Sequence, residues 1–150
     1  MPFRERPYSQ FNFQVDFGVD PNSPQAGFQE VTGLALEITA AEYRNGNEPV
    51  NAPRKITGMH KVPDVTLKRG VIGDDTLYQW LNQVRNGAQD ALRTVTIHLL
   101  SEDRSVVAQS WELINARPTK YTGPQLTGKG TDVAVEDVVL AYEEQRQRFT

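Results

Sequence analysis

Only one stretch of the sequence carries the apolar period of a helix, and the chain around it alternates. Leu77, Trp80, Leu81 and Val84 recur at i, i+3, i+4 and i+7, which places them on one face of a helix over about residues 74–86. Gly73-Asp74-Asp75 supplies its start. The Asp74 carboxylate is placed to accept the free amide hydrogens of the first turn, and Asp75 adds negative charge at the positive end of the helix dipole. Asn86-Gly87 ends it, because glycine accepts the left-handed backbone of a C-terminal cap. A lone amphipathic helix must bury its stripe against something, and the rest of the chain offers only strands. Leu77, Trp80, Leu81 and Val84 are therefore the expected contribution of the helix to the core of a mainly β fold.

Strand signals recur on both sides of the helix. Val65-Thr66-Leu67-Lys68 alternates apolar and polar residues, the period of a half-buried strand. Phe11, Phe13, Val15 and Phe17 alternate with Asn12, Gln14 and Asp16 and give the clearest strand. Phe28 to Glu42 is extended, with a bulge expected at Gly33. Within it Leu34, Leu36 and Ile38 share one face, and Ala35, Glu37 and Thr39 share a second that is expected to meet water. Val95, Ile97 and Leu99 alternate with Thr94, Thr96 and His98; the polar turn Ser101–Ser105 then leads to a hairpin partner over Val106–Ala116. A final strand is expected over Val133–Tyr142, with a bulge at Glu136-Asp137. Gly18–Gly27 and Arg117–Lys129 are punctuated by proline and glycine and read as loops. The sum is six or seven strands, expected as a small β-sandwich or open barrel with one flanking helix.

Tyr43 to Lys61 fits no core pattern. It contains Asn45-Gly46-Asn47, Pro49, Pro53 and Gly58, and Asn-Gly is a strong hairpin-turn signal. A stretch of this length without apolar alternation is uncommon in a compact domain unless it has a role. It is expected to be an extended hairpin or flap over about residues 43–61 that projects to contact something else. Residues 1–10 read as an N-terminal arm whose aromatics, Phe3 and Tyr8, either pack on their own domain or reach a neighbouring subunit. Residues 143–150 read as a charged C-terminal tail.

The chemistry points away from catalysis. At 150 residues the chain is expected to be one domain, 1–150. Sixteen basic and nineteen acidic residues give a net charge of −3, which argues against a general nucleic-acid binder. The absence of cysteine removes disulfides, thiolate nucleophiles and sulfur-ligated metals together. The N-terminus lacks the pattern of a secretory signal, no apolar run approaches the length of a membrane span, and folding in the cytoplasm is expected. Gly123 to Gly130 reads G-P-Q-L-T-G-K-G, one residue from a phosphate-binding loop. Gly130 replaces the magnesium-binding hydroxyl, Pro124 removes a backbone donor, and a strand follows where a helix is required. His60 and His98 lie on different elements without ligand spacing, and the acidic pairs Glu136-Asp137 and Glu143-Glu144 read as solvated faces. No catalytic residue, cofactor or metal is assigned. An aromatic arm, a long flap and strands with a polar second face suit an assembly subunit. The alternative is a small-ligand-binding β-barrel module with the long loops as a lid, and the sequence shows no surplus of apolar positions to line its pocket.

Several segments in register resemble the tail-tube proteins of contractile phage tails and of phage-like injection systems. They are Phe13-x-Val15, Gly27-Phe28-Gln29-Glu30-Val31-Thr32-Gly33-Leu34, Glu42-Tyr43-Arg44-x-Gly46, Leu67-Lys68-Arg69-Gly70 and Leu77-x-x-Trp80. Trp111-x-Leu113-x-Asn115-Ala116-x-Pro118-x-Lys120-Tyr121-x-Gly123-Pro124 and the closing Val133–Tyr142 segment complete the pattern. The sequence looks closer to this group than to the type VI secretion tube proteins that share the fold. The resemblance implies hexameric rings of this chain, stacked into a hollow cylinder inside a sheath, with baseplate and terminator proteins at its ends and DNA or a protein effector as cargo. Assembly would take place in the cytoplasm of the producing cell, and the protein would become part of a phage tail or phage-like particle. It implies that Glu37, Thr39, Thr66 and Lys68 face the lumen. It also implies that Phe3, Tyr8, Tyr43, Arg44, Asn45, Gly46, Asn47 and Lys55 contact neighbouring subunits or rings.

Overall fold

The structure, a computed structural model, describes residues 6–17, 28–71, 76–87 and 91–149. Its helix, α1 (Thr76–Arg85), buries Leu77 and Trp80 against the sheet, with Leu81 and Val84 half-buried on the same stripe. Trp80 is the anchor. Its indole Nε1 donates to the Ala91 carbonyl at 2.6 Å, Phe17 meets its ring edge-to-face at 5.8 Å, and the Arg93 guanidinium lies 4.9 Å from the ring centroid. Gly87 adopts φ +82 and its amide bonds the Val84 carbonyl, the expected glycine stop. Asp74 and Asp75, expected to cap the helix, lie outside the described residues.

The nine strands among the described residues are β1 (Phe13–Asp16), β2 (Glu30–Thr32), β3 (Glu37–Tyr43), β4 (Arg54–Lys61), β5 (Val65–Gly70), β6 (Arg93–Leu100), β7 (Val107–Thr122), β8 (Val135–Ala141) and β9 (Glu144–Arg148). Seven of them form one antiparallel sheet, in the order β1-β6-β7-β8-β5-β2 with β9 added beside β7. Its two halves share β7, as in a sandwich whose longest strand serves both layers. The core lies between them: Val15, Val65, Leu67, Val95, Ile97, Leu113, Val138 and Leu140 join Leu77 and Trp80. The fold is the mainly β, one-helix architecture that the alternation implies.

Four boundaries differ from the sequence reading. The Phe28–Glu42 strand is broken into β2 and β3 at Gly33–Leu36, where Gly33 takes φ +91 and a Cβ would lie 2.5 Å from the Asp64 carbonyl oxygen. β7 continues through Pro118 where a loop was expected. A bulge at Asn115 (φ 57) turns the strand, and on one side it changes partner from β9 to β8. The proline is tolerated because it sits at the register shift between Pro118 and Lys120. β8 runs in unbroken register against β5, so the expected bulge at Glu136-Asp137 is absent. The charged tail is β9, five residues paired with Ser110–Ile114 of β7.

Candidate assembly surfaces

Among the described residues, β3 and β4 pair only with each other, from Glu37↔Lys61 to Tyr43↔Arg54. They continue the β2–β5 ladder beyond the break at Gly33, so the chain forms one kinked ribbon that leaves the sheet and projects. Seven residues at the usual strand rise take β3 about 24 Å from that break. This is the flap foreseen over residues 43–61, but its first strand begins at Glu37 and its second, β4, carries a bulge opposite Thr39. Every residue of β3 and β4 is exposed, including Ile38 at 61%, Ile56 at 52% and Met59 at 84%. Gly58 lies at the bulge, where a Cβ would stand 2.9 Å from the Thr39 carbonyl oxygen.

The tip of the ribbon is organised by Arg44. Its guanidinium donates to the carbonyls of Val50 and Glu48, each at 3.0 Å, and to Asn51 Oδ1 at 3.3 Å. The Glu48 amide bonds the Asn45 carbonyl across Gly46-Asn47, and the Tyr43 hydroxyl donates to Asn45 Oδ1. The Asn-Gly turn therefore exists, but inside a longer loop over residues 44–53. Arg44 and Asn45 hold this loop together, whereas Lys55 is exposed on β4 opposite Glu42. Tyr8 is half-buried and lies against its own β6–β7 turn, beside Val106 and Ala108. Phe3 lies outside the described residues. The turn beside Tyr8 is locked by Asp103, which accepts hydrogen bonds from Ser101 and Ser105; these hold its carboxyl at a pKa of about 2.

A second surface is the outward face of the half-sheet β7-β8-β5-β2. Registers place Thr122, Asp137, Lys68 and Glu30 in one cross-strand row, and Lys120, Val139, Thr66 and Thr32 in the next. Charge alternates along the first row, and Lys68 Nζ lies 3.6 Å from Glu30 Oε2. The four residues expected to face a lumen thus divide into two groups. Thr66 and Lys68 share this face, whereas Glu37 and Thr39 stand on the exposed ribbon beyond the kink.

Behind that polar face lies a buried ion pair. Arg69 Nε donates to Glu136 Oε1 at 2.7 Å, with side-chain exposures of 2% and 10%. The Tyr121 hydroxyl donates to Glu136 Oε2 at 2.6 Å, and the Arg69 guanidinium lies 5.5 Å from the Phe28 ring centroid. The hydrogen bond to Glu136, more than burial, raises the Tyr121 pKa above that of an ordinary phenol. Glu136, expected on a solvated face, is in phase with buried Val138 and Leu140, just as Arg69 is in phase with Val65 and Leu67. Among the described residues, no group of His, Asp and Glu converges to hold a metal ion, and no helix is long and apolar enough to cross a membrane.

Comparison with known proteins adds a family to this geometry. The family model described as T4-like virus tail tube protein gp19 matches residues 9–146. No curated protein sequence gives a significant match. Among solved structures, the chain superposes on a protein from the anti-feeding prophage cap, described as a tube terminating cap, with a TM-score of 0.86. That protein is 24% identical, and the match covers 100% of this chain and 96% of that one. It also superposes on a protein from the extended sheath-tube complex of an extracellular contractile injection system, with a TM-score of 0.84 and 28% identity, covering 97% and 94% of the two chains. Hcp1 from Flavobacterium johnsoniae shares the fold at greater distance, with a TM-score of 0.56 and 10% identity over 93% and 97% of the chains.

Proposed function

The chain belongs to the T4-like virus tail tube protein family, and from that premise we propose that six copies close into a ring and that rings stack into the hollow inner tube of a contractile particle. The observation that carries the stacking is the β3–β4 ribbon. A two-stranded hairpin is marginal alone in water, and this one leaves Ile38, Ile56 and Met59 exposed. A neighbouring copy is the proposed source of its covering layer. Phe3, Tyr8, Tyr43, Gly46, Asn47 and Lys55 are proposed to add to these contacts, with Arg44 and Asn45 acting through the shape of the tip.

The polar face bearing Thr66 and Lys68 is the proposed lumen wall, joined by Glu37 and Thr39 where the ribbon continues it. Its alternating charges, already paired across strands, present cargo with neither a sticky apolar wall nor one deep electrostatic trap. DNA and a protein effector both suit such a wall. The sheath-tube complex that supplied a similar structure supports a surrounding sheath as partner, with baseplate and terminator proteins closing the ends. Assembly is proposed in the cytoplasm of the producing cell, and the role is structural, without turnover. The small-ligand module finds no support in the family.

Light scattering followed by negative-stain microscopy tests this reading. Rings and hollow rods are the expected large species, and a chain that stays monomeric at every concentration overturns self-assembly. Deleting Asn45 to Gly58 is expected to abolish stacking and to leave the thermal transition of the sheet in place. Long tubes formed by that variant would refute the role of the ribbon.

A further inference from the structure

Three strands of the sheet pair with a single other strand among the described residues: β9 with β7, β1 with β6 and β2 with β5. Between β1 and β2 lies a groove of about 620 Å³. Its floor is apolar, made by Phe13, Val31, Leu34 and Trp111, which pack onto the core from the outside, and Phe11 stands on its rim at 70% exposure. We propose that this groove receives the β3–β4 ribbon of a second copy of the chain. The proposal rests on the tube reading and names the receiving surface within it.

Three observations select this occupant. The ribbon of the same chain starts at the groove wall, because β2 contributes Glu30–Thr32 to the lining and leaves it at Gly33. Folding back would require reversal within Gly33–Leu36, where Gly33 is pressed against the Asp64 carbonyl. The apolar side chains missing above the groove are present and uncovered on the ribbon, as Ile56 and Met59. β2 pairs with β5 alone among the described residues, so an incoming strand beside it adds backbone hydrogen bonds to side-chain burial. The contact joins two different surfaces, so it propagates from copy to copy instead of closing a dimer.

The absence of cysteine makes disulfide trapping a clean test. Phe11→Cys is combined in the full chain with Met59→Cys and, separately, with Ile56→Cys; all three positions are exposed, so folding is retained. A disulfide requires Cα atoms within about 7 Å, so oxidation reports direct contact. In assembled protein, the expected result is a reducible ladder of linked chains from at least one pair. Met59→Cys with Val133→Cys, a residue beside the outer end of β8, is expected to give none. Assembled protein in which neither groove pair links, or in which Val133→Cys links instead, overturns the groove while leaving the tube reading intact. A wild-type chain that never assembles overturns both.

Discussion

β4 and β5 are neighbours in sequence, separated only by Val62-Pro63-Asp64, and they have opposite fates. β5 alternates buried and half-exposed residues along its whole length, because β8 and β2 flank it and a second layer covers its apolar face. β4 is exposed at every position and has β3 alone beside it. Both are strands by backbone pairing. What separates them is whether the chain supplies a covering layer: it does for β5, and β4 meets water at every position. β5 has Val65 and Leu67 two apart, a period that a covering sheet imposes. β4 reads Arg-Lys-Ile-Thr-Gly-Met-His-Lys, which gives neither face a continuous apolar side. That is the composition of a strand that meets water on both faces.

The largest effect expected on the folded chain is Glu136→Ala. It leaves Arg69 buried without its carboxylate and removes the acceptor of the Tyr121 hydroxyl. Breaking a buried pair in this way costs about 3–5 kcal/mol, read as a lower midpoint in denaturant unfolding. The pair near the ribbon tip, Arg54 with Glu48 at 3.3 Å, leaves its guanidinium side 72% exposed, though Glu48 is 13% exposed, and supplies the comparison. Arg54→Ala is expected to cost under about 1 kcal/mol. Equal losses from the two variants would mean that the ribbon is as integral to the monomer as the sheet.

Leu67→Ala comes next. It empties a fully buried site on β5, with an expected loss of about 2–5 kcal/mol and a correspondingly lower thermal midpoint. A loss below about 1 kcal/mol would show that the β5 layer is loosely packed and would erase the contrast with β4.

The same contrast explains what could be read in advance. The helix was legible because its stripe is covered within the chain: Leu77 and Trp80 are the deeply buried residues of α1. β1, β5, β6 and β8 were legible for the same reason, each carrying an alternating face turned to the core. β4 was legible only as part of an extended hairpin, without its register, and β9 not at all, because pairing of backbones leaves no period in side chains that meet water on both sides. Glu-Gln-Arg-Gln-Arg reads as a tail, yet its amides and carbonyls complete β7. Pro118 misled for a local reason, since the register shift that tolerates it is set by Asn115 and by the partners of β7. The Arg69–Glu136 pair was hidden by residue type. Its signal was phase: each charge falls on the apolar parity of its own strand, and two opposite charges on core-facing parities imply each other. The division of Glu37 and Thr39 from Thr66 and Lys68 followed from a kink at Gly33 that alternation does not record.

The smallest effect on the monomer, and the sharpest on the comparison, is Ile56→Ser. At 52% exposure on a strand with no second layer, Ile56 contributes little to the isolated chain, and the unfolding midpoint is expected to shift by less than about 0.5 kcal/mol in equivalent free energy. Assembly should respond differently. Covering an isoleucine side chain is worth about 1.5–3 kcal/mol, so its loss at each inter-copy contact raises the concentration at which rods form by about ten-fold or more. Light scattering across a dilution series reads that threshold directly. An unchanged threshold would mean that the ribbon remains as solvated in the assembly as in the single chain, and that stacking is carried by other surfaces. A large drop in monomer stability would mean instead that Ile56 is packed within its own chain, and that β4 belongs with β5 after all.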